Sequence, residues 1–107
     1  MDDLREMLKG VLEGAVLNEV ARGETYGYQI AHTLNGVGFD SVSEGTVYAV
    51  LMRLERAGAV KSRKLPSPTG PPRKFYQLTK LGKTDLKNFW RKWDFLSGKL
   101  NELRRKK

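Results

Sequence analysis

Between residues 61 and 92 the sequence sets 10 Lys and Arg side chains against one acidic residue, Asp85, a local balance of +9. Residues 1–60 carry 5 basic and 9 acidic side chains (−4), and residues 93–107 carry 5 and 2 (+3). A cationic block beside a mildly acidic one reads as a directed surface for a polyanion. Other groups capable of chemistry are few. With no cysteine and one histidine, disulfides, thiolate metal sites and a structural zinc site are excluded. His32 has no acidic or thiol companion at ligand spacing. No nucleophile sits with a base, no carboxylates pair, and Gly36 and Gly38 follow a helical pattern rather than a strand, so they carry no nucleotide signal. The expectation is a protein that is not an enzyme and holds no cofactor and no metal. One further cluster, Phe89, Trp90 and Trp93, offers aromatic faces on a single helical turn. Such faces either stack on a planar ligand or pack an interface, and Arg91 and Lys92 beside them favour an anion.

These groups need elements to position them. Leu4, Met7, Leu8, Val11, Leu12, Ala15, Val16 and Val20 recur at helical spacing, which predicts a first helix over 3–22 ended by Arg22-Gly23. Gly10 and Gly14 share one of its faces, and each costs about 1 kcal/mol relative to alanine. That cost points to close approach by another helix. Thr25 is placed to cap a second helix, Tyr26 to Asn35, broken by Asn35-Gly36-Val37-Gly38. A third helix runs from Glu44 to Ala57 and stops at Gly58, capped by Ser43, or by Ser41 in a capping box with Glu44. Its apolar stripe is Val47, Val50, Leu51 and Leu54. Residues 59–65 and 73–78 alternate as strands, and all four prolines lie between them, in 66–72. Proline removes a ladder donor and fixes φ, so this is a stiff exposed hairpin tip. Two short helices followed by a basic hairpin (Lys61, Arg63, Lys64, Arg73 and Lys74) are the order of a winged helix-turn-helix.

Thr79 caps a last helix, Lys80 to about Arg105, whose Leu86, Phe89, Trp93, Leu96, Leu100 and Leu103 are spaced 3, 4, 3, 4, 3. That is the narrow seam of a helix paired with other helices. A domain of roughly 80 residues cannot cover it, so the expectation is a homodimer, with Leu8, Val11 and Leu12 of the first helix joining the seam. The flanking positions Trp90, Lys92, Ser97, Lys99, Arg104 and Lys106 include no acid, which disfavours a plain parallel zipper. The acidic Asp2, Asp3, Glu6, Glu13 and Glu19 make the first helix of a second chain the complementary partner.

With 39% apolar and 30% charged residues, one modest core is all that 107 residues supply. The architecture expected is mainly α with a two-stranded β-wing. It divides into a winged helix-turn-helix over 1–79 and a dimerisation helix over 80–107. The acidic Met1–Glu6 start has no secretory character, and no run of about 18 apolar residues occurs, so a cytoplasmic protein without a membrane partner is expected.

At Glu24-Thr25-Tyr26-Gly27-Tyr28-Gln29-Ile30, Ser43-Glu44-Gly45-Thr46-Val47-Tyr48, Leu51-Met52-Arg53-Leu54-Glu55 and Gly70-Pro71-Pro72-Arg73-Lys74-Phe75-Tyr76-Gln77-Leu78-Thr79, the chain resembles the PadR family of regulators. The resemblance spans nearly the whole chain and matches the short form with a single C-terminal helix. Ala49 departs from it, because the family often has proline after the tyrosine. The resemblance implies winged-helix domains dimerised through the C-terminal and first helices. It also implies a repressor of a palindromic operator in double-stranded DNA, in some members released by a flat aromatic effector.

Residues expected at DNA are Tyr28, Ser43, Gly45, Thr46, Tyr48, Arg53, Lys64, Arg73 and Lys74. The third helix would enter the major groove by its N-terminal end, with Gly45 allowing close backbone approach and Arg53 reaching phosphate or guanine. Phe89, Trp90 and Trp93 are the expected effector residues. Two other readings fit the same fold, a protein–protein interaction module and an architectural DNA binder without an effector.

Overall fold

The computed structural model describes residues 4–106. Its elements are α1 (Arg5–Leu8), α2 (Leu12–Ala21), α3 (Gly27–Gly36), α4 (Glu44–Arg56), β1 (Val60–Ser67), β2 (Gly70–Leu78) and α5 (Lys80–Arg105). Asp2 and Asp3, two of the acids expected to complement a partner helix, lie outside the described residues, as does Lys107.

The first helix is not continuous. Val11 leaves the helical region (φ −124°, ψ −6°) and its N–H reaches Leu8 O rather than completing a helical bond. Gly10 has nothing within 4 Å of where a Cβ would stand, so the close approach expected there is absent and the glycine marks a break instead. The break lets Leu8 turn into the core, where it is 7% exposed. Gly14 fulfils the expectation. A Cβ there would overlap the ring of Phe89, so α2 and α5 touch through a glycine.

Thr25 does not cap the second helix. Tyr26 occupies the cap position without a side-chain bond, and α3 begins one residue later than expected. Thr25 instead exchanges backbone bonds with Tyr76 (2.7 and 3.2 Å), adding a one-residue third strand to the hairpin. Two ladder bonds outweigh one hydroxyl cap, whose loss costs about 1 kcal/mol. The turn after α3 is clamped by Asn35, whose Nδ2 donates to Phe39 O at 2.8 Å and Val42 O at 2.9 Å. Gly38 supplies the positive φ of +110°.

The third expected helix, α4, keeps its cap and its stripe. Ser43 Oγ accepts from Thr46 N at 3.1 Å, and Val47, Val50, Leu51 and Leu54 are all buried. They meet Val16, Leu17 and Val20 of α2, Ile30 and Leu34 of α3, and Ala59, Val60 and Tyr76 of the hairpin in one core. The strands run further out than expected, antiparallel with Ser62 opposite Tyr76 and Lys64 opposite Lys74, and only Pro68-Thr69 turns. Pro66, Pro71 and Pro72 are accommodated because a two-stranded ribbon has free edges, and the register slips between Leu65 and Ser67.

Thr79 Oγ1 caps α5, accepting from Gly82 N at 3.1 Å while donating to Gly58 O at 2.6 Å. Gly82 is buried, with no room for a Cβ against the carbonyl of Ala59. Leu86, Phe89 and Trp90 continue the contact onto the domain. Beyond them Trp93, Leu96, Leu100 and Leu103 are exposed, and the extents of 59 × 32 × 20 Å reflect this projecting arm.

Candidate nucleic-acid interface

At 100° per residue, the solvent face of α4 divides into three lanes. Gly45, Ala49, Met52 and Arg56 form the exposed centre. Thr46 and Arg53 form the edge toward α2, where Arg53 Nε lies 3.8 Å from Glu13 Oε2. Tyr48 and Glu55 form the edge toward the hairpin. Gly45 faces open space, with only Ser43 Oγ at 3.8 Å from a notional Cβ, so its backbone is accessible. Ser43 and Thr46 share a hydroxyl contact at 2.9 Å, so both are engaged in the cap. Tyr48 is half-buried, its ring so close to Gly27 that a Cβ there would come within 2.6 Å of Cζ. Burial, with help from the Glu44 carboxylate, pushes its phenol above the ordinary range. Tyr48 therefore joins α3 to α4 and presents little more than its edge.

Tyr28 is exposed on α3, stacked between Tyr26 (6.4 Å between centroids) and His32 (6.1 Å). Arg73 lies over the Tyr26 ring at 4.7 Å, and Phe75 packs against that ring at 5.0 Å. The wing thus docks on the start of α3 through Tyr26, a contact that sequence spacing did not indicate.

The hairpin cations are not equivalent. Arg63 donates from Nε and Nη2 to both carboxylate oxygens of Glu24, each at 2.7 Å. Lys74 Nζ donates to Glu55 Oε1 at 3.0 Å, while Ser62 Oγ donates to Glu55 Oε2 at 2.5 Å. The Ser62 hydroxyl and the Lys74 ammonium hold the Glu55 carboxyl below the usual range, and Arg63 does the same for Glu24. Among the described residues, Lys61, Lys64 and Arg73 have no ion-pair partner. The wing's free charge is thus smaller than its composition suggests.

A family model for PadR-like transcriptional regulators matches residues 16–88, which include every element from most of α2 to the first turns of α5. The chain belongs to the PadR-like family. Among solved structures, a Streptococcus transcriptional regulator is 41% identical over 92% of this chain and 97% of its own, with a TM-score of 0.83. A PadR-like regulator from Bacillus cereus is 37% identical over 95% and 99%, with a TM-score of 0.85. Bacillus subtilis PadR, solved in complex with operator DNA, is 29% identical over 75% of this chain and 46% of its own, with a TM-score of 0.68. This PadR-like protein is therefore a transcriptional regulator with the winged-helix fold of its family. Among the described residues, no helix is long and apolar enough to cross a membrane.

The residues expected at a dimer seam divide in two. Leu8 is consumed by this chain's own core, and Val11, Leu12 and Leu86 pack partly against it. Within its own chain the last helix meets α2 through Phe89 on Gly14 and Trp90 Nε1 donating to Asn18 Oδ1 at 3.2 Å. Trp93, Leu96, Leu100 and Leu103 remain uncovered. The aromatic trio divides likewise. Phe89 and Trp90 meet edge to face at 5.0 Å and are anchored to α2, while Trp93, 41% exposed, stands on the uncovered seam.

Proposed function

We propose that this chain is a homodimeric DNA-binding repressor that grips a palindromic operator with two copies of α4 and the wing. The observation that supports it most is the outer lane of α4, open from Gly45 to Arg56, beside a hairpin whose Lys61, Lys64 and Arg73 have no carboxylate partner among the described residues. A helix with a free N-terminal face enters the major groove, and flanking cations neutralise phosphates. The central lane is small and apolar, so Ala49 and Met52 suit thymine methyls, and direct readout is modest. Much of the discrimination then falls to backbone fit and DNA shape. Tyr28, Ser43, Thr46, Tyr48 and Arg53 border this lane as supporting contacts, while Lys74 is held by Glu55.

The dimer forms through Trp93, Leu96, Leu100 and Leu103, with residues 1–79 as the DNA-binding unit and 80–107 as the arm that sets the spacing. The two recognition helices then match half-sites about 34 Å apart. The test is a mobility shift with duplex DNA at several salt concentrations. Replacing Lys64 and Arg73 together with alanine should weaken binding to all sequences and lower the salt slope by about 1.8 per engaged wing, about 3.6 for the dimer, at about 0.9 per lost phosphate contact. An unchanged slope would refute their role.

The exposed Trp93 supports a further reading, in which a small molecule bound at the seam relieves repression. Two copies facing each other across the dimer axis form a slot for a flat aromatic molecule. Titration with planar aromatic acids should quench tryptophan fluorescence saturably in the native chain, and W93L should abolish that response. A response retained in W93L would remove this reading.

A further inference from the structure

Each neutralised cation of the wing is held by a carboxylate that lies outside the hairpin. Glu55 projects from the hairpin-facing edge of α4, with Ser62 of β1 on one oxygen and Lys74 of β2 on the other. Glu24 stands in the loop between α2 and α3 and holds Arg63 in a two-pronged contact. The fixed fork of the guanidinium makes that contact directional as well as electrostatic. Strand register sets Lys74 opposite Lys64, so the Glu55 carboxylate also offsets a like-charge cross-strand pair. Both carboxylates are engaged on the protein side, leaving Lys64 and Arg73 as free charges toward the wing's outer end.

Electrostatic affinity for DNA is largely blind to sequence. A wing with five free cations would hold any duplex firmly, and discrimination would suffer. We propose that Glu24 and Glu55 are specificity-determining residues that keep Arg63 and Lys74 off the phosphate backbone, Glu55 also bracing the wing against α4. Tight binding then requires the helix and wing to fit together on one site. The inference rests on the DNA-binding reading above and adds to it the two acids that limit non-specific affinity. Glu55 acts on geometry and charge at once, because it bonds both strands of the hairpin. Glu24 acts mainly on charge, because its partner is a single exposed arginine.

The experiment compares the native chain with E24Q, E55Q and the double variant on two duplexes. One carries random sequence, and the other carries the tightest site recovered from a randomised library by the native chain. Affinities are measured between 50 and 200 mM salt. For random duplex, the double variant should steepen the salt slope by about 1.8 per engaged wing and about 3.6 for the dimer, since each freed cation adds about 0.9. Between 200 and 50 mM salt its affinity should then gain about tenfold more than that of the native chain per engaged wing, or about 10²-fold for the dimer. The selected site should gain less, so the ratio of specific to random affinity should fall. E24Q alone should give about half the slope change, and because Glu24 holds a single exposed arginine, it keeps the test decisive if E55Q folds poorly. Unaltered slope and ratio in E24Q and in the folded double variant would overturn the proposal while leaving DNA binding intact. Equal gains on both duplexes would overturn it too, because the acids would then not affect discrimination. Failure of the native chain to bind either duplex at 50 mM salt would instead reject the DNA-binding reading, and this proposal with it.

Discussion

Replacing Leu96 and Leu100 with glutamate should turn a dimer into a folded monomer and cost about 10²–10⁴ in operator affinity. Both side chains are more than half exposed and neither belongs to the core, so the winged-helix domain loses no packing. In the proposed dimer, four like charges would enter an apolar seam, where unpaired buried charges are strongly unfavourable. The affinity loss follows from linkage. With two half-sites engaged through one rigid arm, the second contact is intramolecular, and separating the domains removes that advantage. Light scattering after size exclusion checks the first half, with unchanged circular dichroism as the control for folding. Operator titration checks the second.

Gly82→Ala should destabilise the domain at or above the upper end of the usual range of about 1–3 kcal/mol for overpacking. A methyl group there would overlap the carbonyl oxygen of Ala59, which also accepts from Thr79 N at 3.0 Å. Backbone cannot yield as a side-chain tip can, so α5 must move away from the base of the wing. That shift would open the contact at Leu86 and Phe89 as well. Gly45→Ala is the matched control: its surroundings are open, and helix propensity alone predicts a stability gain of about 1 kcal/mol or less. Urea unfolding of the two variants should separate them clearly, and similar midpoints would contradict the packing described at Gly82.

The parts legible in the sequence are those governed by local rules. The stripe of α4 follows from a 3.6-residue period, the Ser43 and Thr79 caps from residue type, and the hairpin from alternation interrupted by prolines. What was illegible depends on partners distant in the chain. Thr25 carries a good cap residue's signature, yet Tyr76, remote in sequence, claims its backbone. Gly10 and Gly14 look equivalent on one helical face, but only Gly14 meets Phe89. Charge counting was misleading in the same way. It treats Arg63 and Lys74 as free, because nothing local links them to Glu24, 39 residues away, or to Glu55, 19 residues away. Such pairing requires the fold itself. The composition therefore located the basic surface correctly but overstated how much of its charge is available.

The wing and the arm now have distinct parts in one account. In the proposed dimer the wing would supply limited, directed charge, α4 an open face, and the arm beyond Trp90 the spacing between two such units. The most direct test is the mass of the protein–DNA complex, measured by light scattering on a duplex of the selected site at saturating protein. Two chains per duplex, with the same dimer present in free solution, is the predicted result. One chain per duplex, bound as tightly as the native protein binds, would contradict it.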